Sequence, residues 1–187
     1  HEVDLFALSE KGERLDQRPV FEAFCRRVAF EPFEHPEWPR LFPDRLLNPL
    51  PTTILHWRQD NIREAIGRFM EGQEYDLVHV CDIVMAQYFL EEHSEVRLSV
   101  DRSRVDLQFQ LAQHDAMAQG LKQKLLDWEN ISKLERFEKR IAERVAMEVL
   151  CGPDDEVFVR ERISKEVPLL VVEFWLSWWP SLRDRRG

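Results

Sequence analysis

Two spacings of apolar residues alternate along the chain. Glu2 to Leu8 (EVDLFAL), Arg27 to Phe30, Asp76 to Cys81, Val96 to Asp101, Met147 to Cys151 and Val167 to Val172 are short apolar runs that read as strands. Between several of them apolar positions recur every three or four residues. That spacing predicts helices over Pro19 to Arg27, Thr53 to Met70, residues 83 to about 91, Val105 to Met117 and Leu121 to Val145. The last of these places Leu121, Leu125, Trp128, Ile131, Leu134, Phe137, Ile141 and Val145 on one stripe. The spacing comes close to a coiled-coil seam, but a long amphipathic helix laid on a sheet fits it better. Pro153 opens a further helix, with Asp154, Asp155 and Glu156 in its first turn, where acids face the helix dipole. Strands that alternate with helices predict an α/β fold, a Rossmann-like parallel sheet flanked by helices.

The stretch Tyr75-Asp-Leu-Val-His-Val-Cys-Asp82 sets the expected centre of that sheet. Its apolar run is nearly continuous, as in a strand covered on both faces. Ligands of such sheets gather at the carboxyl ends of the strands. Cys81 and Asp82 stand at that end and are the first candidates for a site. From Glu31 to Pro51 the chain carries six of its ten prolines, with Trp38 and Phe42 among them. Proline blocks helix and removes backbone donors, so an irregular loop is expected there, packed over a surface or a site.

Composition narrows the function. The 187 residues suffice for one domain with a real core, here residues 1–172, followed by a tail at 173–187. A net charge of −9 argues against nucleic acid as a partner. Cys25, Cys81 and Cys151 are far apart without a CxxC pair, which suggests a reduced, cytoplasmic protein with buried thiols. No signal peptide and no initiator Met are visible, so the sequence is expected to begin inside a longer one or to have been trimmed. The tail Glu173-Phe-Trp-Leu-Ser-Trp-Trp-Pro180 is too short to span a membrane. With Arg183, Arg185 and Arg186 behind it, it would suit a peripheral membrane contact, although a strand or flap on its own domain is favoured.

The candidate chemistry sits at three strand ends. His79 lies mid-strand, where a core-facing histidine bonded to backbone is the plainest expectation. A zinc set of His79, Cys81, Asp82 and His93 lacks the usual paired spacing, so neither metal nor cofactor is expected. Asp101-Arg-Ser-Arg-Val-Asp106 closes the next strand and would share a crevice with Cys81 and Asp82. There Arg102 and Arg104 could hold a phosphate or carboxylate, or simply pair with Asp101 and Asp106; Ser103 lies between them. Gly152-Pro-Asp-Asp155 forms a third strand-to-helix turn at the same edge, which adds Asp155. Nucleotide-loop, nucleophile-elbow and zincin motifs do not occur.

The order of these pieces resembles the N-terminal, acceptor-side half of a GT-B fold glycosyltransferase of the family 4 type, over residues 1 to about 172. The segments that carry it are the "HEVDLF" strand, Asp76-Leu-Val-His-Val-Cys-Asp82 with Met85-Ala-Gln-Tyr88, and Val100 to Leu107 against a "LDxHNVES" element. The helix from Glu129 to Ala142 and the Val149 to Asp155 turn complete it. The resemblance implies a retaining transferase that uses a nucleotide-activated sugar and receives a sugar acceptor on this half, with homo-oligomers open. It also shows departures. The family's histidines fall on Ser103 and Cys81, and the linker to the donor-binding half is replaced by Val172-Glu-Phe-Trp. This polypeptide is therefore not expected to transfer sugar alone. The family's first strand, which lies between the strands matching 2–8 and 76–81, has no counterpart. A lost segment, the Trp-rich tail or another chain would have to fill its slot, and direct pairing of 2–8 with 76–81 would refute this.

Two functions compete on these grounds. One is the acceptor-side domain of a glycosyltransferase, with acceptor contacts from 31–51 and from the strand ends. The other is a non-catalytic binding or assembly protein that keeps the scaffold and uses the 121–145 helix or the tail as an interface.

Overall fold

A computed structural model describes residues 2–10, 18–34, 48–90, 93, 95–116 and 120–172. The tail at 173–187 and most of the proline-rich stretch lie outside the described residues. The fold is α/β with parallel sheets flanked by helices. β1 (Asp4–Glu10) and β2 (Arg27–Phe33) pair in parallel as one sheet. β3 (Val78–Cys81), β4 (Leu98–Arg102), β5 (Met147–Leu150) and β6 (Leu169–Val171) pair in parallel, in that order, as a second. The helices are α1 (Arg18–Glu22), α2 (Thr52–His56), α3 (Asp60–Met70), α4 (Ile83–Leu90), α5 (Asp106–Ala116), α6 (Leu121–Arg144) and α7 (Pro153–Phe158). A π-helical turn at Val159–Ile163 continues α7.

The single helix expected over Thr53 to Met70 is two, because Trp57 to Gln59 leave helical hydrogen bonding. The aromatic at the break has a job: Trp57 stacks on Phe33 at 4.5 Å between centroids. The long helix α6 runs almost as expected, yet only part of its stripe is covered. Ile131, Leu134, Phe137 and Ile141 are buried, whereas Leu121, Leu125 and Trp128 are 76%, 60% and 65% exposed.

The expectation that β3 is covered on both faces is wrong. Val80, Leu98, Val100 and Leu150 turn to a packed face with Ile83, Phe89, Leu134, Phe137 and Ile141 in one core. The alternate residues face the other way, and there His79 and Cys81 are exposed. The reason is topological. Successive parallel strands added in one direction through right-handed crossovers put every crossover on the same face. The described α4, α5, α6 and α7 therefore crowd one side of β3–β6.

β1 does not pair with β3. Arg26 N–H donates to Val3 O, so the backbone groups of Val3, Leu5 and Ala7 meet β2, and those of Phe6 and Leu8 point away. Val78 N–H donates to Arg97 O and Asp82 N–H to Asp101 O, so those of His79 and Cys81 likewise point away from β4. Tyr75 Oη donates to Asp4 Oδ2 at 2.8 Å, and Arg26 bonds both Asp4 and Gln73, which brings the starts of β1 and β3 together. Standard bond lengths then hold the Asp4 and Tyr75 Cα atoms within roughly 13 Å. At about 4.8 Å per step that leaves room for one strand between β1 and β3, not two. Among the described residues no strand occupies it. Read across the two sheets, the described strands run 2-1 and 3-4-5-6, with β1 and β3 left unpaired on the sides away from β2 and β4.

Candidate functional site

The carboxyl ends of β3, β4 and β5 place the predicted site residues by register. Cys81 is the pairing partner of Asp101, and His79 that of Ser99, so these four share the open face. Residues 81 and 101 do lie side by side at one sheet edge, as expected from the strand order. The expectation of a core-facing His79 does not: the residue is exposed, and its Nδ1 lies 2.8 Å from the Ser99 hydroxyl rather than on backbone. The expectation of buried thiols fails too, because Cys81 is exposed and Cys25 and Cys151 are half-buried. Burial, then Asp101 and Asp82, push the Cys81 thiol above its ordinary pKa.

Asp82 occupies the turn from β3 into α4 with φ 74°, a left-handed conformation that aspartate tolerates better than most residues. The backbone N–H groups of Ile83 and Val84, at the start of α4, favour its charged form. Burial and the nearby Asp106 nonetheless push its pKa up, against those N–H groups. Asp155 behaves similarly at the third turn, raised by burial, with Arg102 opposing. Cys151 lies at that turn with its thiol 3.3 Å from Arg102 O.

The two arginines part company, and neither serves as a free anion clamp. Arg102 turns to the packed face, 1% exposed, where it meets Glu138 at 2.8 Å and Glu148 at 3.1 Å. Burial alone would lower its pKa, but the two carboxylates outweigh that and hold it above its ordinary value. Burial raises Glu138 despite Arg102. Glu138 also accepts the Leu107 N–H at 2.9 Å, which ties the 102–107 turn to α6. Arg104 pairs with Asp106 at 2.9 Å, as the plainer reading had it, and its guanidinium lies over Phe109 at 4.3 Å. Ser103 is exposed between them.

Sequence reasoning missed Ser99, Glu138 and Glu148. Glu138 had a signal: it sits inside the stripe of Leu134, Phe137 and Ile141, where a solvated acid does not belong. His93 and Asp82 do not join His79 and Cys81 in a cluster; Asp101 does. A separate cavity of about 580 Å³, lined by Met70, Tyr75, His93 and Val96, opens elsewhere, beside the start of β3. Among the described residues no helix is long and apolar enough to cross a membrane. No family model, curated protein or solved structure matches the chain.

Proposed function

We propose that the chain is the acceptor-side half of a glycosyltransferase that uses a nucleotide-activated sugar, and that it does not transfer sugar by itself. The observation that carries this reading is the convergence of Cys81, Asp82, Asp101 and Asp155 at the carboxyl ends of β3–β5, beside an edge of β3 that pairs with no described strand. In open α/β sheets ligands bind at the carboxyl ends of strands, where the order reverses. Half-buried carboxylates there suit the hydroxyl groups of a sugar acceptor, which donate hydrogen bonds. The same edge is poorly equipped for a nucleotide diphosphate: Arg102 is committed to Glu138 and Glu148, and Arg104 to Asp106.

The test is resonance mapping of the chain with simple sugar acceptors and with nucleotide sugars, backed by calorimetry. Acceptors should perturb Cys81, Asp82, Asp101 and Asp155 at millimolar concentration, while nucleotide sugars bind negligibly. Tight nucleotide-sugar binding, or acceptors that leave these four residues untouched, would refute the reading.

A further inference from the structure

The open face of β3–β4 brings together three side chains of metal-ligating type, two of which, Cys81 and Asp101, also belong to the proposed acceptor edge. One nitrogen of His79, the Cys81 thiol and a carboxylate oxygen of Asp101 all lie within 4.8 Å of one another. Two facts of strand geometry bring this about. Residues i and i+2 of a strand share a face, which aligns His79 with Cys81. The parallel register then sets Asp101 opposite Cys81. We propose that His79, Cys81 and Asp101 form a binding site for a divalent metal of the zinc class, with a fourth position open on the exposed face.

The donor set fits that metal. Zinc takes thiolate, imidazole and carboxylate ligands, and three protein ligands with one open position is the arrangement of its catalytic rather than its structural sites. Calcium and magnesium prefer all-oxygen shells, so a thiol and an imidazole turn the site away from them. His79 is oriented as a ligand should be. Its Nδ1 bonds the Ser99 hydroxyl, leaving Nε2 for the metal, and such outer partners commonly fix a ligating ring. Ser99 is itself buried, which restricts the hydroxyl's placement. The 4.8 Å spread is wider than a finished coordination shell, so binding draws the exposed Cys81 and the half-buried Asp101 toward His79.

The site shares Cys81 and Asp101 with the proposed acceptor edge, but its test reads metal rather than sugar, so the two fail or survive separately. The test takes the whole 187-residue chain with Co²⁺ as a coloured stand-in for Zn²⁺. One equivalent of Co²⁺ should give a thiolate charge-transfer band and the strong visible bands of four-coordinate geometry, both displaced by Zn²⁺. Cys81→Ser should abolish the charge-transfer band, and Cys25→Ser should leave it intact. His79→Gln and Asp101→Asn should each weaken binding at least about tenfold, and Ser99→Ala by roughly 10-fold through ring positioning. In the unaltered chain, Zn²⁺ should shield Cys81 but not Cys25 from iodoacetamide, a measurement that does not depend on any variant folding. Absence of the charge-transfer band, its persistence in Cys81→Ser, or equal shielding of the two thiols would overturn the site.

Discussion

Asp101 and Arg102 are neighbours on one strand, yet they belong to two different kinds of surface. Arg102 turns inward to a sealed face, 1% exposed and held between Glu138 and Glu148. Asp101 turns to the open face beside Cys81. The packed side gathers four described helices and the apolar core, whereas the other side keeps polar and ionisable side chains in reach of water. One strand therefore does two jobs by alternation: Leu98, Val100 and Arg102 fix the fold, and Asp101 remains available for chemistry. The difference also shows where the molecule can change cheaply.

The sharpest test of that contrast is a pair of substitutions one residue apart from its two faces. Arg102→Met leaves Glu138 and Glu148 buried without their cation. Breaking a buried ion pair from one side costs about 3–5 kcal/mol. At about 2–4 °C per kcal/mol for a chain of this size, the melting temperature should fall by roughly 6–20 °C. Asp101→Asn, on the open face, should stay within about 0.5 kcal/mol. Thermal unfolding by circular dichroism in metal-free buffer reads both, and equal losses would dissolve the distinction.

The same contrast runs along α6. Leu134→Ala removes a fully buried side chain from the core and should cost about 2–5 kcal/mol. Leu125→Ala, nine residues earlier and so on the opposite side of the helix, is 60% exposed and should cost less than about 0.5 kcal/mol. Urea titration of the two variants checks this. A large loss at Leu125 would mean that its end of the helix is covered in solution, as the assembly reading of the chain would require.

The sequence made some of this legible and could not have made the rest so. Periodicity found every described strand of both sheets, because apolar density and turn residues are local properties. It joined α2 to α3, since Trp57 keeps helical spacing while its backbone leaves the helix to stack on Phe33. It misread β3, because Val78 and Val80 supply the apolar content of one face only, while His79 and Cys81 supply the other. The side-by-side placement of Cys81 and Asp101 was anticipated from the strand order. That Asp101 rather than Asp82 or His93 completes the His79 and Cys81 cluster depends on register, which no local pattern encodes. Arg102 and Arg104 are both arginines in one turn, and only the strand's alternation tells the sealed one from the open one.

The gap beside β3 offers a third way to sharpen the comparison, now between the two edges of that strand. The Val78 N–H is bonded to β4, while the N–H groups of His79 and Cys81 face the slot, as do those of Phe6 and Leu8 across it. Hydrogen exchange should find the amides of Phe6, Leu8, His79 and Cys81 at least about a hundredfold less protected than those of Val78 and Val100. Strong protection at the first four would mean that something already fills the slot.

The smallest expected effect concerns Asp82, which opens α4 from a left-handed backbone while its pKa is raised by burial and by Asp106. A carboxyl whose folded pKa is raised contributes stability below its unfolded value, near 4, and loses that contribution as pH rises through the folded pKa. Asp82→Asn keeps the size and tolerates the same φ, but removes the charge. The variant should match or exceed the parent at pH 7, by less than about 1 kcal/mol given solvent screening. The advantage should shrink as pH falls toward 4. Urea midpoints at the two pH values measure the difference. An advantage that grows on acidification would mean that the Asp82 carboxylate is stabilised in place, and that the open edge of this sheet is held by a cation already.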